Sequence, residues 1–237
     1  MTFPGGTSVS RLTVYTGACA DGLEGGTPHL HTASTEAYVV VGGHGALQTL
    51  DVNGLRETEL GPGSTVWFTP GTIHRAVNRA GNGGGLEVVV VMSNAGLPEA
   101  GDAVMTFPPE VVADPARYRE AAALPAVGVE EAVARRRELA VAGFLRLAEG
   151  GPEAVRRFYD SAVALVRPKA AGWRETWEAT VAAQTRRTAE VLEALERGDG
   201  AHLLESALME SPPQERWGMC GHLRAHDVAD PVVHTPR

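Results

Sequence analysis

Two stretches of this 237-residue chain carry side chains suited to holding a metal ion. The first is His29-Leu30-His31, with Glu36 following; the second is His74, just past the turn Pro70-Gly71. His29 and His31 are two apart, so on an extended strand both imidazoles point to one face. Three imidazoles and one carboxylate form a mixed nitrogen and oxygen donor set for a first-row divalent metal. Four protein donors in a six-coordinate shell leave two positions open, where a small molecule can bind and react.

Such donors converge only if strands aim them. Glu36 opens the β-branched run Ala37-Tyr38-Val39-Val40-Val41, and His74 sits in Ile73-His74-Arg75-Ala76-Val77-Asn78. Further strands are expected over residues 9–15, 46–52, 55–60, 65–68 and 86–92, separated by glycine turns. Asn53-Gly54 predicts a type I′ hairpin. Short strands at regular spacing suggest a barrel or jelly roll. Alternation places Tyr38 and Val40 on the face of Glu36, and Ala76 and Asn78 on that of His74. Phe68 or Trp67 should line or floor the same cavity. Tyr38 is the one candidate for a catalytic role, since a buried phenol needs a polar partner. His44 lies among turn residues and is read as exposed.

The two stretches resemble the two motifs of the cupin superfamily: a His-x-His pair, a Glu and a strand-ending glycine (Gly42 or Gly43), then a glycine (Gly63), an apolar strand, Pro70-Gly71, a His and an Asn (Asn78). Thr69 stands where a proline is usual, and Gly25 and Gly26 replace a glycine six before His29. The resemblance covers about the first 110 residues and implies a jelly-roll β-barrel (double-stranded β-helix). It also implies that His29, His31, Glu36 and His74 bind the metal, and the barrel pairing common in the superfamily implies a homodimer.

Beyond the barrel, residues 97–124 read as a proline-rich arm and residues 129–149, 152–166, 168–197 and 201–209 as helices with apolar stripes. The fold class is therefore mainly β with an α-helical C-terminal region: a barrel over 1–110, a linker over 111–128 and helices over 129–237. The three long helices are expected to form a small antiparallel bundle. It is expected to cover the barrel mouth, with Trp173 and Trp177 on the covering surface, or else to join subunits. Arg135, Arg136, Arg137, Arg156, Arg157, Arg186 and Arg187 are offset by nearby glutamates and read as a solvated face.

The formal net charge is −8. Residues 1–110 hold 4 Arg against 10 Asp and Glu, and residues 111–237 hold 17 Lys and Arg against 19 Asp and Glu. That balance argues against nucleic acid as a partner. No apolar run has the length of a membrane span, and the N-terminus lacks the pattern of a signal peptide. Cys19 and Cys220 are too few for a disulfide framework and are expected as free thiols in the cytoplasm. Cys220-x-His222 with His226 lacks the partners of a second metal site at a zinc spacing.

Three functions fit. The first is oxidation by dioxygen at iron, as in the thiol, diketone and aromatic-ring dioxygenases of the superfamily, and it is ranked narrowly ahead. The second is isomerase, epimerase or lyase chemistry at manganese, nickel or zinc. The third is small-molecule binding without catalysis. The substrate is left open.

Overall fold

The computed structural model describes residues 3–81 and 84–234. Its first nine strands are β1 (Ser8–Val14), β2 (His29–His31), β3 (Glu36–Gly42), β4 (Gly45–Asp51), β5 (Gly54–Leu60), β6 (Thr65–Phe68), β7 (Ile73–Asn78), β8 (Glu87–Met92) and β9 (Ala103–Met105). They form a jelly-roll barrel, as expected. One sheet runs β5-β4-β7-β2-β9, and β1, β8, β3 and β6 belong to a second. Leu12, Tyr38, Val40, Leu47, Leu60, Phe68, Ala76 and Val88 come from both sheets and fill one apolar interior.

The β4–β5 hairpin falls where Asn53-Gly54 placed it, but the turn is of another kind. Gly54 takes a positive φ of 106°, whereas Asn94 is the only non-glycine residue with positive φ among the described residues. The Asp51 side chain accepts a hydrogen bond from the Asn53 amide at 2.6 Å, which holds the turn without a left-handed Asn53.

The proline-rich arm is more than a connection. Its strand β9 pairs with β2 beside the histidines. It continues into two short helices, α1 (Pro109–Val112) and α2 (Pro115–Ala122). Asp114 caps α2 by accepting from the amides of Ala116 and Arg117.

Helix follows from Val129 to Glu196 in three main pieces: α3 (Val129–Val166), α4 (Ala170–Trp177) and α5 (Ala183–Glu196). Gly151, at φ 63° and ψ −160°, breaks α3 just before Pro152. The expected bundle is not the arrangement found. Ala140, Phe144, Leu147, Val155, Phe158, Ala162 and Val166 pack with Leu30, Leu50, Ile73, Val104, Met105 and Phe107, on the outside of the five-stranded sheet. The stripes had to bury against something, and the sheet offered an apolar face. A Cβ on Gly143 would lie 1.8 Å from the Thr106 carbonyl oxygen, so only glycine allows this approach.

Residues 201–209 are not a helix of the expected kind. Ala201–Glu205 is a short 3-10 turn, and β10 (Leu208–Glu210) follows. The chain then returns to strand in β11 (Pro213–Trp217), β12 (Gly221–His226) and β13 (Val232–His234). β12 pairs along β1, which makes the second sheet six-stranded, in the order β11-β12-β1-β8-β3-β6. No helix among the described residues is long and apolar enough to cross a membrane.

Candidate metal centre

His29 and His31 stand on β2, His74 on β7 and Glu36 on β3, so the five-stranded sheet supplies three residues and the six-stranded sheet faces them with one. His29 and His74 are directly opposite across the β2–β7 ladder, with ring centroids 4.2 Å apart. One donor atom from each of the four residues lies within 4.8 Å of every other. All four are buried.

The far ring nitrogens are pinned. His29 Nδ1 donates to the Thr27 carbonyl at 2.9 Å and His74 Nδ1 to the Thr72 carbonyl at 3.1 Å. His31 Nδ1 donates to Asp102 Oδ1 at 2.6 Å. Each bond puts a proton on Nδ1 and turns Nε2 inward, the orientation in which an imidazole meets a metal. Inside, His74 Nε2 and Glu36 Oε2 are buried without a hydrogen bond, although they lie 3.0 Å apart and His31 Nε2 is 3.3 Å from the same oxygen. Orphaned buried atoms of this kind are rare. A cation bound between them satisfies both, so the donor set fits a divalent transition metal.

The electrostatics agree. Burial, with His74 and His31 alongside, holds His29 well below its ordinary range, so it stays neutral. Burial opposes charge on His31, but Asp102 and Glu36 outweigh it and lift the ring to about 10. Burial also opposes charge on Glu36; the surrounding histidines overcome it and hold the carboxyl well below the usual range. Without a metal, the His31 proton is the cation between the carboxylates. A metal must displace it.

Asp102 is the residue that the motif reading missed. It is fully buried, and its other oxygen accepts from the Ser34 amide at 3.0 Å. Its place just before β9, which pairs with β2, brings it to His31. A lone aspartate between Gly101 and Ala103 carries no local signal of that pairing.

The other expected wall residues are placed as follows. Tyr38, Val40, Ala76 and Asn78 are buried, with Tyr38 fully so. The Tyr38 hydroxyl lies 3.7 Å from Cys220 Sγ, and burial pushes the phenol well above its usual range. Phe68 packs 4.3 Å from the His74 ring, while Trp67 is 71 % exposed on the outer face. Asn78 organises the loop behind β7, accepting from the Leu86 amide at 2.9 Å and donating to Gly84 and Glu24. His44 is exposed. Both cysteines are free and buried, and the four residues above are the only metal-holding group found among the described residues.

A cavity of about 290 Å³ opens from His29, His31 and Glu36. Its walls come from β1, β8, the Pro98-Glu99 loop, Arg136 of α3 and the C-terminal hairpin from Arg216 to Cys220. The expected covering by Trp173 and Trp177 is therefore corrected: these two border a surface groove with Leu97, away from the histidines, and Trp173 Nε1 donates to the Ala100 carbonyl. The closing element is the β11–β12 hairpin. Gly26 lets the chain pass against it, since a Cβ there would lie 2.5 Å from the Cys220 Cα. The solvated reading of the arginines also fails at two positions: Arg136 and Arg137 are each only 7 % exposed.

Residues 20–92 match the family model of the cupin domain. No curated protein matches the chain by sequence. Among solved structures, it is similar to an uncharacterised protein with a double-stranded β-helix domain from Klebsiella pneumoniae, at 18% identity over 39% of this chain and 70% of that one, with a TM-score of 0.31. Streptomyces Pac13 with uridine matches at 18% identity, over 37% of this chain and 58% of its own, with a TM-score of 0.27; its structure is described as that of a nucleoside dehydratase. The capsular polysaccharide assembling protein CapF of Staphylococcus aureus matches at 22%, over 39% of this chain and 24% of its own, with a TM-score of 0.30. The chain thus spans less than two thirds of Pac13 and of CapF.

Proposed function

We propose, from the premise that residues 20–92 form a cupin domain, that the chain is a metal-dependent enzyme acting on a small molecule bound in the cavity beside His29, His31 and Glu36. The observation that carries this reading is the set of three pinned imidazoles around two orphaned buried atoms, one on His74 and one on Glu36. A bound divalent metal supplies Lewis acidity and, if it is iron, one-electron chemistry with dioxygen.

Dioxygenase-type oxidation is the first reading within this class. Isomerisation, epimerisation and elimination need a protein base or acid at the substrate. Beyond the ligands themselves, the carboxylate and imidazole on the cavity wall are Glu99 and His226. Glu99 is exposed and accepts from the Gly96 amide, and His226 Nδ1 is engaged with the Ser211 carbonyl. Neither is a buried base beside the centre. The chain's own work is to hold the donors, exclude water with the β11–β12 hairpin and position the substrate.

The test is elemental analysis of protein purified without added metal, followed by oxygen uptake on a panel of small molecules. Iron with substrate-dependent uptake supports oxidation. Tight zinc or nickel with turnover but no uptake moves the assignment to the non-redox class, and absence of any metal from the folded protein rejects the enzyme reading.

A further inference from the structure

Three arginines are buried among the described residues, and their partners differ. Arg75, fully buried, is ion-paired with Asp21 at 2.5 Å. Arg137 donates to the Gly25 carbonyl and lies over the Tyr15 ring at 5.3 Å, so the face of the ring takes up part of its charge. Arg136 has neither. Its Nη2 donates to the Gly218 carbonyl at 2.9 Å, its Nε lacks a partner as those of Arg75 and Arg137 also do, and among the described residues it has neither an ion pair nor an aromatic face over its charge. Its charged neighbours by type are Tyr15, Tyr118 and Cys220, which burial pushes up to about 12 and so keeps neutral. A guanidinium taken out of water without a counter-charge is costly.

Arg136 is also the one of the three on the wall of the cavity that holds His29, His31 and Glu36. Two other charged side chains line it away from the centre. Glu99 is exposed, and Arg216 is exposed and bonded to Gln214. The cavity thus has a buried, uncompensated positive group in its wall and room for a small organic molecule.

We propose that Arg136 anchors a carboxylate of the substrate, which makes this protein's substrate a small organic acid held between the Arg136 guanidinium and the metal centre. This rests on the metal-enzyme reading above and deepens it. A planar guanidinium matches a carboxylate or a phosphate. The carboxylate is chosen because a single buried cation faces one negative charge.

The experiment is calorimetric titration of the full-length protein, as purified with its metal content measured and again after chelator treatment. The probes are benzoate and succinate, their neutral amides benzamide and succinamide, and phenyl phosphate. The expected result is that the acids bind in preference to the amides in both preparations. Arg136→Gln should weaken acid binding roughly ten- to a hundredfold; Arg136→Lys should lose less, and Arg156→Gln, exposed on α3 and not on the cavity wall, should match the parent. Melting temperatures establish that each variant is folded. Equal binding of acid and amide by the parent protein overturns the proposal, even if Arg136→Gln does not fold. So does undiminished acid binding in folded Arg136→Gln, or phenyl phosphate binding more tightly than benzoate. Metal absent with the acid preference intact rejects the metal reading and keeps the anchor; metal present with no acid preference does the reverse.

Discussion

The two sheets that meet at the candidate metal centre are built differently. The five-stranded sheet carries His29, His31 and His74, and every residue of its β2 and β7 is buried. The six-stranded sheet carries Glu36, and its β3 and β8 largely alternate buried with half-buried positions. Its outer face leaves Trp67 71 % and Val41 48 % exposed. The difference is the helical layer. α3 covers the histidine sheet, and Thr106 ties the two together: its hydroxyl donates to the carbonyl of Ala140 on α3 and its amide to the carbonyl of Pro28, just before His29. Tyr159, from the second half of α3, donates to the Gly71 carbonyl, and the Gly71 amide donates to the His31 carbonyl. A metal centre needs its donors held to a fraction of an ångström. The side with three donors is the side packed from behind.

The largest effect should come from removing donors, one from each sheet. His31→Ala and Glu36→Ala should each lose most of the bound metal while the barrel stays folded, read by elemental analysis and circular dichroism. Full metal occupancy in a His29→Ala, His31→Ala double variant would sink the site.

The buttress comes next. Phe144, 1 % exposed, packs in the helix–sheet layer. Phe144→Ala should destabilise the protein by about 3–5 kcal/mol in denaturant titration. Trp67→Ala, on the open face of the other sheet, should change stability by no more than about 0.5 kcal/mol. Equal effects would erase the contrast between the faces.

Asp102→Asn keeps the shape beside His31 and removes the charge. Metal affinity should fall roughly 10- to 100-fold with the fold retained, measured by competition with a chelating dye.

The smallest effect is on pH. In the metal-free protein His31 is raised to about 10 and holds a proton that metal must displace. His29 is already neutral and adds nothing. Affinity should therefore rise with pH, by about tenfold from pH 7 to 8, and fall as acid restores the proton. A flat profile across that range would show that His31 carries no displaceable proton.

Much of the centre was legible in the residues. His29, His31, Glu36 and His74 are local signals: donor types next to strand patterns and turns. Where expectation and structure part, the cause is long-range. The β11–β12 hairpin was hidden because Gln214, Glu215, Arg216, His222 and Arg224 are polar and carry little strand periodicity. They form strands because β1 offers an edge to pair with. Arg136 and Arg137 sit among glutamates on a helix, which reads as a water-facing surface. Only the packed barrel supplies the Gly218 and Gly25 carbonyls and the Tyr15 ring that draw them inward.

The chain by itself settled that there would be a jelly-roll barrel, which four side chains would meet inside it, and that apolar helices would follow. Periodicity and donor spacing are short-range properties, and the strand ladder turns them directly into geometry. Tertiary structure alone decided what the helices cover, what closes the barrel and which aspartate holds His31. An apolar stripe records that a face must be buried but not against what, and a buried carboxylate or guanidinium acquires its role only from the groups that folding brings to it.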